Sequence, residues 1–179
     1  SQPKGQKFDK RRQGWLKDDW FPWEDNFFNN PNQPVVCVNY KDALKYCDWV
    51  DEINRKQTNF YSETKLPPLW LWAFAAFGEF STFKRSRNEL IFKEEIDNKA
   101  WLRQTKKIHH NGYAPSPIDK TVDRMNPRDI SDMFGNIFEW TASISRDGRG
   151  WVCGGSFLNN LERISKPFGR ILLYTSHSD

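Results

Sequence analysis

Cysteine is scarce. The 179 residues hold three, Cys37, Cys47 and Cys153, with neither a CxxC pair nor Cys/His finger spacing, so zinc-finger and dithiol redox readings get little support and at most one disulfide is possible. Histidine is equally sparse: His109 and His110 are adjacent and His177 stands alone. Neighbouring side chains point in different directions on any regular element, so this pair reads as polar loop residues rather than as metal ligands. Long hydrophobic runs are missing too. The longest uncharged apolar stretch, Leu66 to Gly78, falls short of the roughly 18 to 20 residues that cross a bilayer, so no membrane span is expected. No charged-then-apolar leader opens the chain, and because it begins at Ser1 without Met its compartment stays open. No internal repeat is visible.

What the chain has in abundance is aromatic surface: nine Trp, fourteen Phe and five Tyr. Burying each such ring is worth roughly 1.5 to 3 kcal/mol, which rules out a disordered polymer. At about 150 residues per domain the length suits one domain with decorations. The net charge of +4 is small but uneven. Lys4, Lys7, Lys10, Arg11, Arg12 and Lys17 stand against Asp9 alone, so residues 1–14 read as a basic flexible arm and 15–179 as the single domain. A stretch at about 83–107 holds eight Lys/Arg against four Asp/Glu and reads as a charged surface insertion.

Within the domain, the aromatic, turn-rich stretch Trp15 to Pro34 is expected to be irregular. Asn39 sits at an N-cap position with Asp42 three residues on, so a helix is predicted from about Tyr40 to about Arg55. Its inward face would be Ala43, Tyr46, Cys47, Val50 and Ile53, with Lys41, Lys45, Asp48 and Glu52 facing water. Cys47 reads as a small buried hydrophobe. Pro67 and Pro68 suit the entrance of a second helix over Leu69 to Phe77 that is apolar on every side. Short strands are predicted near Trp151 to Cys153 and Ile171 to Tyr174.

Four stretches then occur in one order: Pro34 to Tyr40 leading into Tyr46-Cys47-Asp48-Trp49; Leu66-Pro67 with Trp72, Phe74-Ala75-Ala76 and Gly78; Asp132-Met133-Phe134-Gly135-Asn136-Ile137-Phe138-Glu139-Trp140-Thr141; and Gly154-Gly155-Ser156-Phe157. Their order and spacing resemble the formylglycine-generating enzyme and sulfatase-modifying-factor family, and the third string is the specific one. The resemblance implies an α+β fold of the C-type lectin-like kind: a small twisted mixed sheet, two helices and extensive loops. The resemblance also implies a closing Gly-Phe-Arg strand, which is missing from residues 15–179; the expectation is that the strand is lost or that the natural chain continues.

The resemblance also implies chemistry that this chain departs from. The oxidases of the family hold copper with two cysteines after Gly-Gly-Ser, soft thiolates being what Cu(I) prefers. Here those places fall at about Asn159 and Ile164, so the expectation is no catalysis. Iron-dependent sulfoxide synthases of the same kinship use three histidines on an added helical domain, which His109, His110 and His177 do not match.

Other functions follow from the same comparison. Asp132, Asn136 and Glu139 fit the hard oxygen donors that Ca²⁺ takes, and Ca²⁺ is the one candidate cofactor; the competing account makes Gly135 and Asn136 structural. The segment after Gly-Gly-Ser crosses the face that is catalytic in the enzymes, so Trp151, Phe157, Asn159, Asn160, Arg163 and Tyr174 are the candidate ligand-binding residues, for a surface receptor or a glycan. Where relatives carry Thr-Glu-x-Glu-Trp-Glu after Leu-Pro this chain has Pro68 to Ala73, so an acidic side has become apolar; Leu69, Trp70 and Leu71 are a candidate protein interface, the competing account being intrachain cover by the aromatic segment Trp15 to Phe28. The expected function is a non-catalytic lectin-like binding or structural module with protein partners in a larger assembly, on an extracytoplasmic surface or in a virion. The alternatives are a metal-dependent oxidase with rearranged ligands, or a nucleic-acid contact through the basic arm and the 83–107 insertion. Nucleic acid is the less favoured partner, since Trp101 is the only strong aromatic candidate in that insertion.

Overall fold

A computed structural model describes residues 8–9, 14–15, 20–58, 63–77, 83–86, 89–92, 112–118, 130–160 and 171–174. Its first helix, α1, runs Tyr40–Thr58. Asn39 caps it: Asp42 N–H donates to Asn39 Oδ1 at 2.9 Å, and Ala43 N–H donates to the Asn39 carbonyl at 3.0 Å, satisfying donors that a helix start leaves over. Arg55 and Lys56 in the last turn suit the negative end of the helix dipole. Tyr40 and Cys47 are buried, with Ala43, Val50 and Ile53 partly covered. Tyr46, expected inside, is exposed and lies against the ring of exposed Trp49. The buried stripe runs through Tyr40, Ala43, Cys47 and Val50, and a residue next to Cys47 sits about 100° around the helix from it.

The second helix, α2, is Leu69–Phe77. The Pro68 carbonyl accepts from Leu71 and Trp72 at 2.9 and 3.0 Å, while Leu69 N–H finds Ser143 Oγ at 2.8 Å. Its entrance is therefore stitched to the strand that carries Ser143, where Ala142 N–H also donates to the Pro67 carbonyl at 2.9 Å. One side of α2 makes the core: Trp72, Ala73 and Ala76 are buried with Met133 and Cys153, and Leu69, Ala75 and Phe134 fringe them. Burying one Trp removes roughly 200 Å² from water, worth at most about 5 kcal/mol, so Trp72 outweighs any single hydrogen bond nearby. Trp70 and Leu71 are exposed on the other side.

Among the described residues the sheet has three strands, β5 (Glu139–Ile144), β6 (Arg149–Cys153) and β7 (Ile171–Tyr174), in the order β5-β6-β7. Both ladders are antiparallel, with Glu139 opposite Cys153 and Arg149 opposite Tyr174. The β5–β6 register shifts between Trp140 and Ile144, the mark of a bulge. Two hairpins precede the sheet: β1 (Phe8–Asp9) pairs with β2 (Gly14–Trp15), and β3 (Phe83–Ser86) pairs with β4 (Glu89–Phe92). The first puts paired strands into the segment expected to be an arm, and the second puts a hairpin into the charged insertion. Every ladder among the described residues is antiparallel, whereas a mixed sheet was the expectation. The third place in the sheet belongs to Ile171–Tyr174. No helix among the described residues is long and apolar enough to cross a membrane.

A knot of loops around Asn136 and Glu139

The loop ahead of β5 coils tightly because three of its residues take positive φ: Asp132 at 60°, Gly135 at 78° and Asn136 at 57°. Asn and Asp tolerate that region better than other side-chain-bearing residues. Asn136 is fully buried, and its carboxamide acts as a backbone substitute. Oδ1 accepts from Ser116 N–H at 2.9 Å, and Nδ2 donates to the Ser116 carbonyl and to Asp132 Oδ2, both at 3.3 Å. The main chain continues the tie: Gly135 N–H donates to the Gly154 carbonyl at 2.8 Å, Phe157 N–H to the Asn136 carbonyl at 2.7 Å, and Gly112 N–H to the Phe157 carbonyl at 2.7 Å. Three stretches distant in sequence, 112–118, 130–138 and 154–160, are thus held as one body.

Gly154 is where they come closest. At φ 90°, a Cβ there would lie 3.0 Å from the Met133 carbonyl oxygen and 3.6 Å from Trp72, so only glycine fits without a shift. Phe157 follows into the interior, against Phe28 with ring centroids 6.0 Å apart. Phe28 in turn meets Trp20 at 4.7 Å. The aromatic segment therefore covers the knot.

Beneath this knot lies Glu139. Its Oε2 accepts a short hydrogen bond from Trp72 Nε1. Burial pushes its carboxyl up to about 7; the indole hydrogen bond opposes that rise, and the negative charge of Asp132 adds to it. On the same strand Thr141 is fully buried and donates to the Trp151 carbonyl at 3.0 Å, while Trp140 Nε1 donates to the Val38 carbonyl at 2.9 Å and stacks edge-on with Tyr40.

The expected metal ligands divide on this geometry. Asp132 and Glu139 fit a hard cation in charge and donor type, since two carboxylates in a largely buried loop repel one another. Asn136 does not fit, because its carboxamide is committed to Ser116 and Asp132. Among the described residues no group of three or more His, Cys, Asp and Glu gathers, so any further oxygens for Ca²⁺ would come from backbone or water.

The expected ligand-binding residues divide as well. Phe157 is buried and forms core rather than a groove wall. Asn159 closes a local turn: its Oδ1 accepts from Ser156 N–H at 2.8 Å and lies 3.3 Å from Ser156 Oγ. Asn160 is exposed and Trp151 is half-buried. Arg163, Ile164 and the three histidines lie outside the described residues; of Tyr174 only the strand pairing is described. Of the interface trio, Trp70 and Leu71 are exposed and Leu69 is partly buried. Two residues of the site have no sequence signature: Ser116, which Asn136 seeks out, and Gln33, whose Nε2 bridges the Phe27 carbonyl at 2.9 Å and the Pro115 carbonyl at 2.6 Å. The only hint of Ser116 is its place between Pro115 and Pro117, which leaves a lone N–H in need of an acceptor.

All three cysteines are free. Burial raises the thiols of Cys37 and Cys47, with Asp48 and Asp51 adding to the rise at Cys47, and Cys153 is wholly enclosed. A thiol whose pKa is raised by burial is a weaker nucleophile and a weaker soft-metal ligand than a thiolate.

No curated protein matches this chain. The model of one family, described as the sulfatase-modifying factor enzyme 1-like domain, matches residues 9–171, which include both helices, the knotted loops and the first strand pair of the sheet. With nearly its whole length matched, the chain belongs to the sulfatase-modifying factor enzyme 1-like family, and its fold is the α+β, C-type lectin-like one.

Proposed function

We propose that this chain is a non-catalytic, lectin-like binding or structural member of its family, working with protein partners in a larger assembly on an extracytoplasmic surface or in a virion. The observation that carries this reading is Asn159. It stands at about the place of a copper thiolate in the oxidases, and here its carboxamide is built into the Ser156 turn. The raised thiols of Cys37 and Cys47 support the same reading, since Cu(I) chemistry needs thiolates. Ca²⁺, in this proposal, is a structural ligand held by Asp132 and Glu139 together with backbone oxygens.

The decisive assay is oxidation of cysteine-containing peptides with Cu(I) supplied. No turnover is expected. Turnover that disappears in Cys153→Ser would overturn the proposal. Capture of a surface receptor or glycan is assigned to Asn160 and Arg163, and assembly to α2. Asn160→Ala combined with Arg163→Ala should weaken capture while leaving assembly intact, and Leu71→Glu should do the reverse. Isolation of the native chain, free or inside a larger particle, tests the assembly directly.

A further inference from the structure

Helix α1 carries two large aromatic side chains that the core does not take. Tyr46 is 62% exposed and Trp49 53%, and a spacing of three puts them on one face of the helix. Their ring centroids lie 5.6 Å apart and the planes incline by only 34°, so the two ring faces turn roughly the same way. Among the described residues this ring contact is all that engages them: neither the Tyr46 hydroxyl nor the Trp49 indole N–H has a hydrogen-bond partner in the protein. The indole N–H groups of Trp20, Trp72 and Trp140, by contrast, each donate to a protein acceptor. The charged residues one helical turn from the pair are Asp42, Lys45 and Glu52, and Glu52 is itself paired with Lys56 at 2.7 Å. Two ring faces, an unclaimed N–H, a hydroxyl and a rim of both signs thus meet on one exposed stripe of α1.

We infer that this platform binds the ring of a neutral carbohydrate. Area decides against a protein partner. At roughly 150 to 250 Å² for a whole aromatic side chain, the two rings offer about 250 Å², a third of the roughly 800 Å² per partner that a stable protein interface buries. Charge decides against an ion: Lys45 opposes a cation over the rings, Asp42 opposes an anion, and Glu52 and Lys56 neutralise each other. The ligand that remains is uncharged, with an apolar face and a polar edge. A pyranose has that form. Its axial C–H bonds carry slight positive charge and pack on the negative faces of aromatic rings, while its hydroxyls both donate and accept and so suit the indole N–H, the phenol and the charged rim. The helix and the ring contact fix both side chains beforehand, so little ordering entropy opposes binding, yet a footprint this small holds a single site to affinities on the order of millimolar. The inference goes beyond the function proposed above, which places capture at Asn160 and Arg163 and gives α1 no part.

Saturation-transfer NMR on the full chain with cellotetraose and with chitotetraose tests it. Transfer to the sugar C–H protons is expected with either sugar, together with a shift of the Trp49 indole N–H resonance. Trp49→Ala and Tyr46→Ala, both at exposed positions and so compatible with folding, should each raise the dissociation constant by about tenfold or more, with melting temperatures that match the parent. Trp49→Phe, which keeps a ring face without the N–H, should retain part of the binding, and Asn160→Ala combined with Arg163→Ala should leave it unchanged. No transfer with either sugar at millimolar concentration would overturn the inference. So would binding indifferent to Trp49→Ala and Tyr46→Ala, binding lost as fully in the Asn160 and Arg163 variant, or a Trp49 indole resonance that answers choline and neither sugar.

Discussion

Glu139 makes the stability of this protein depend on pH in a direction opposite to that of most carboxylates. An ordinary glutamate gains partners on folding and stabilises the native state above its unfolded pKa. Here burial dominates, the carboxyl rises from 4.5 to about 7, and the Trp72 indole only partly offsets the rise. The folded state therefore holds a proton between pH 4.5 and 7 that the unfolded chain has released. Stability falls as pH climbs through that window, is fully present below it and is lost above it. At about 1.4 kcal/mol per pKa unit, the difference comes to about 3 kcal/mol. For a chain of this size that is about 6 to 12 °C in melting temperature. Glu139→Gln keeps an oxygen to accept from Trp72 Nε1 and cannot ionise. Melting curves from pH 4.5 to 8 in EDTA should show the variant more stable than the parent by most of this amount at pH 8 and equal to it at pH 4.5. The parent-minus-variant difference removes the other titrating groups. Parallel profiles would mean that Glu139 ionises freely in the fold, with water reaching its carboxyl, and would overturn this pH dependence.

Three further outcomes follow. At pH 8, millimolar Ca²⁺ should raise the melting temperature of the parent and not that of Asp132→Ala or Glu139→Gln, by mass action on the folded state; no rise in the parent would remove calcium from this loop. Gly154→Ala should cost about 1 to 3 kcal/mol for its backbone conformation alone and more for the approach to Met133, read as a lowered urea midpoint; a midpoint within error of the parent would show that the loop can move away. Asn136→Ala should cost about 1 to 3 kcal/mol, because Ser116 N–H loses its acceptor in a partly buried place, and hydrogen exchange at Ser116 should accelerate; unchanged exchange there would mean that another group takes over.

The elements legible in the sequence are those set by short-range rules. Asn39 and Asp42 mark the start of α1 because a helix end has unpaired donors and an amide three residues away can take one. Pro67 and Pro68 mark the start of α2 because proline lacks the N–H that a first turn leaves over. Tyr46 escaped the same logic: an apolar residue at a helical spacing looks the same whether its ring meets the core or Trp49 in solvent, and the tertiary surroundings decide. The β3–β4 hairpin escaped it as well, since its strands are four residues each and its first is half basic.

The site was half legible for a related reason. The Asp132 to Thr141 string announces a tight loop, because Gly135 and Asn136 are residue types that tolerate positive φ. What the loop is for is written elsewhere in the chain. Asn136 finds its partner at Ser116, 20 residues away, and Gln33 finds one at Pro115, 82 residues away; no periodicity or motif connects such pairs. The same gap explains Phe157 and Asn159. Read locally, an aromatic and an amide beside Gly-Gly-Ser suggest a groove that grips a ligand. In the fold the aromatic meets Phe28 and the amide closes the Ser156 turn, so polar and aromatic residues that look like recognition chemistry hold the loops together. In the described loops, side-chain amides such as those of Asn136, Gln33 and Asn159 do the pairing that sheets and helices do elsewhere.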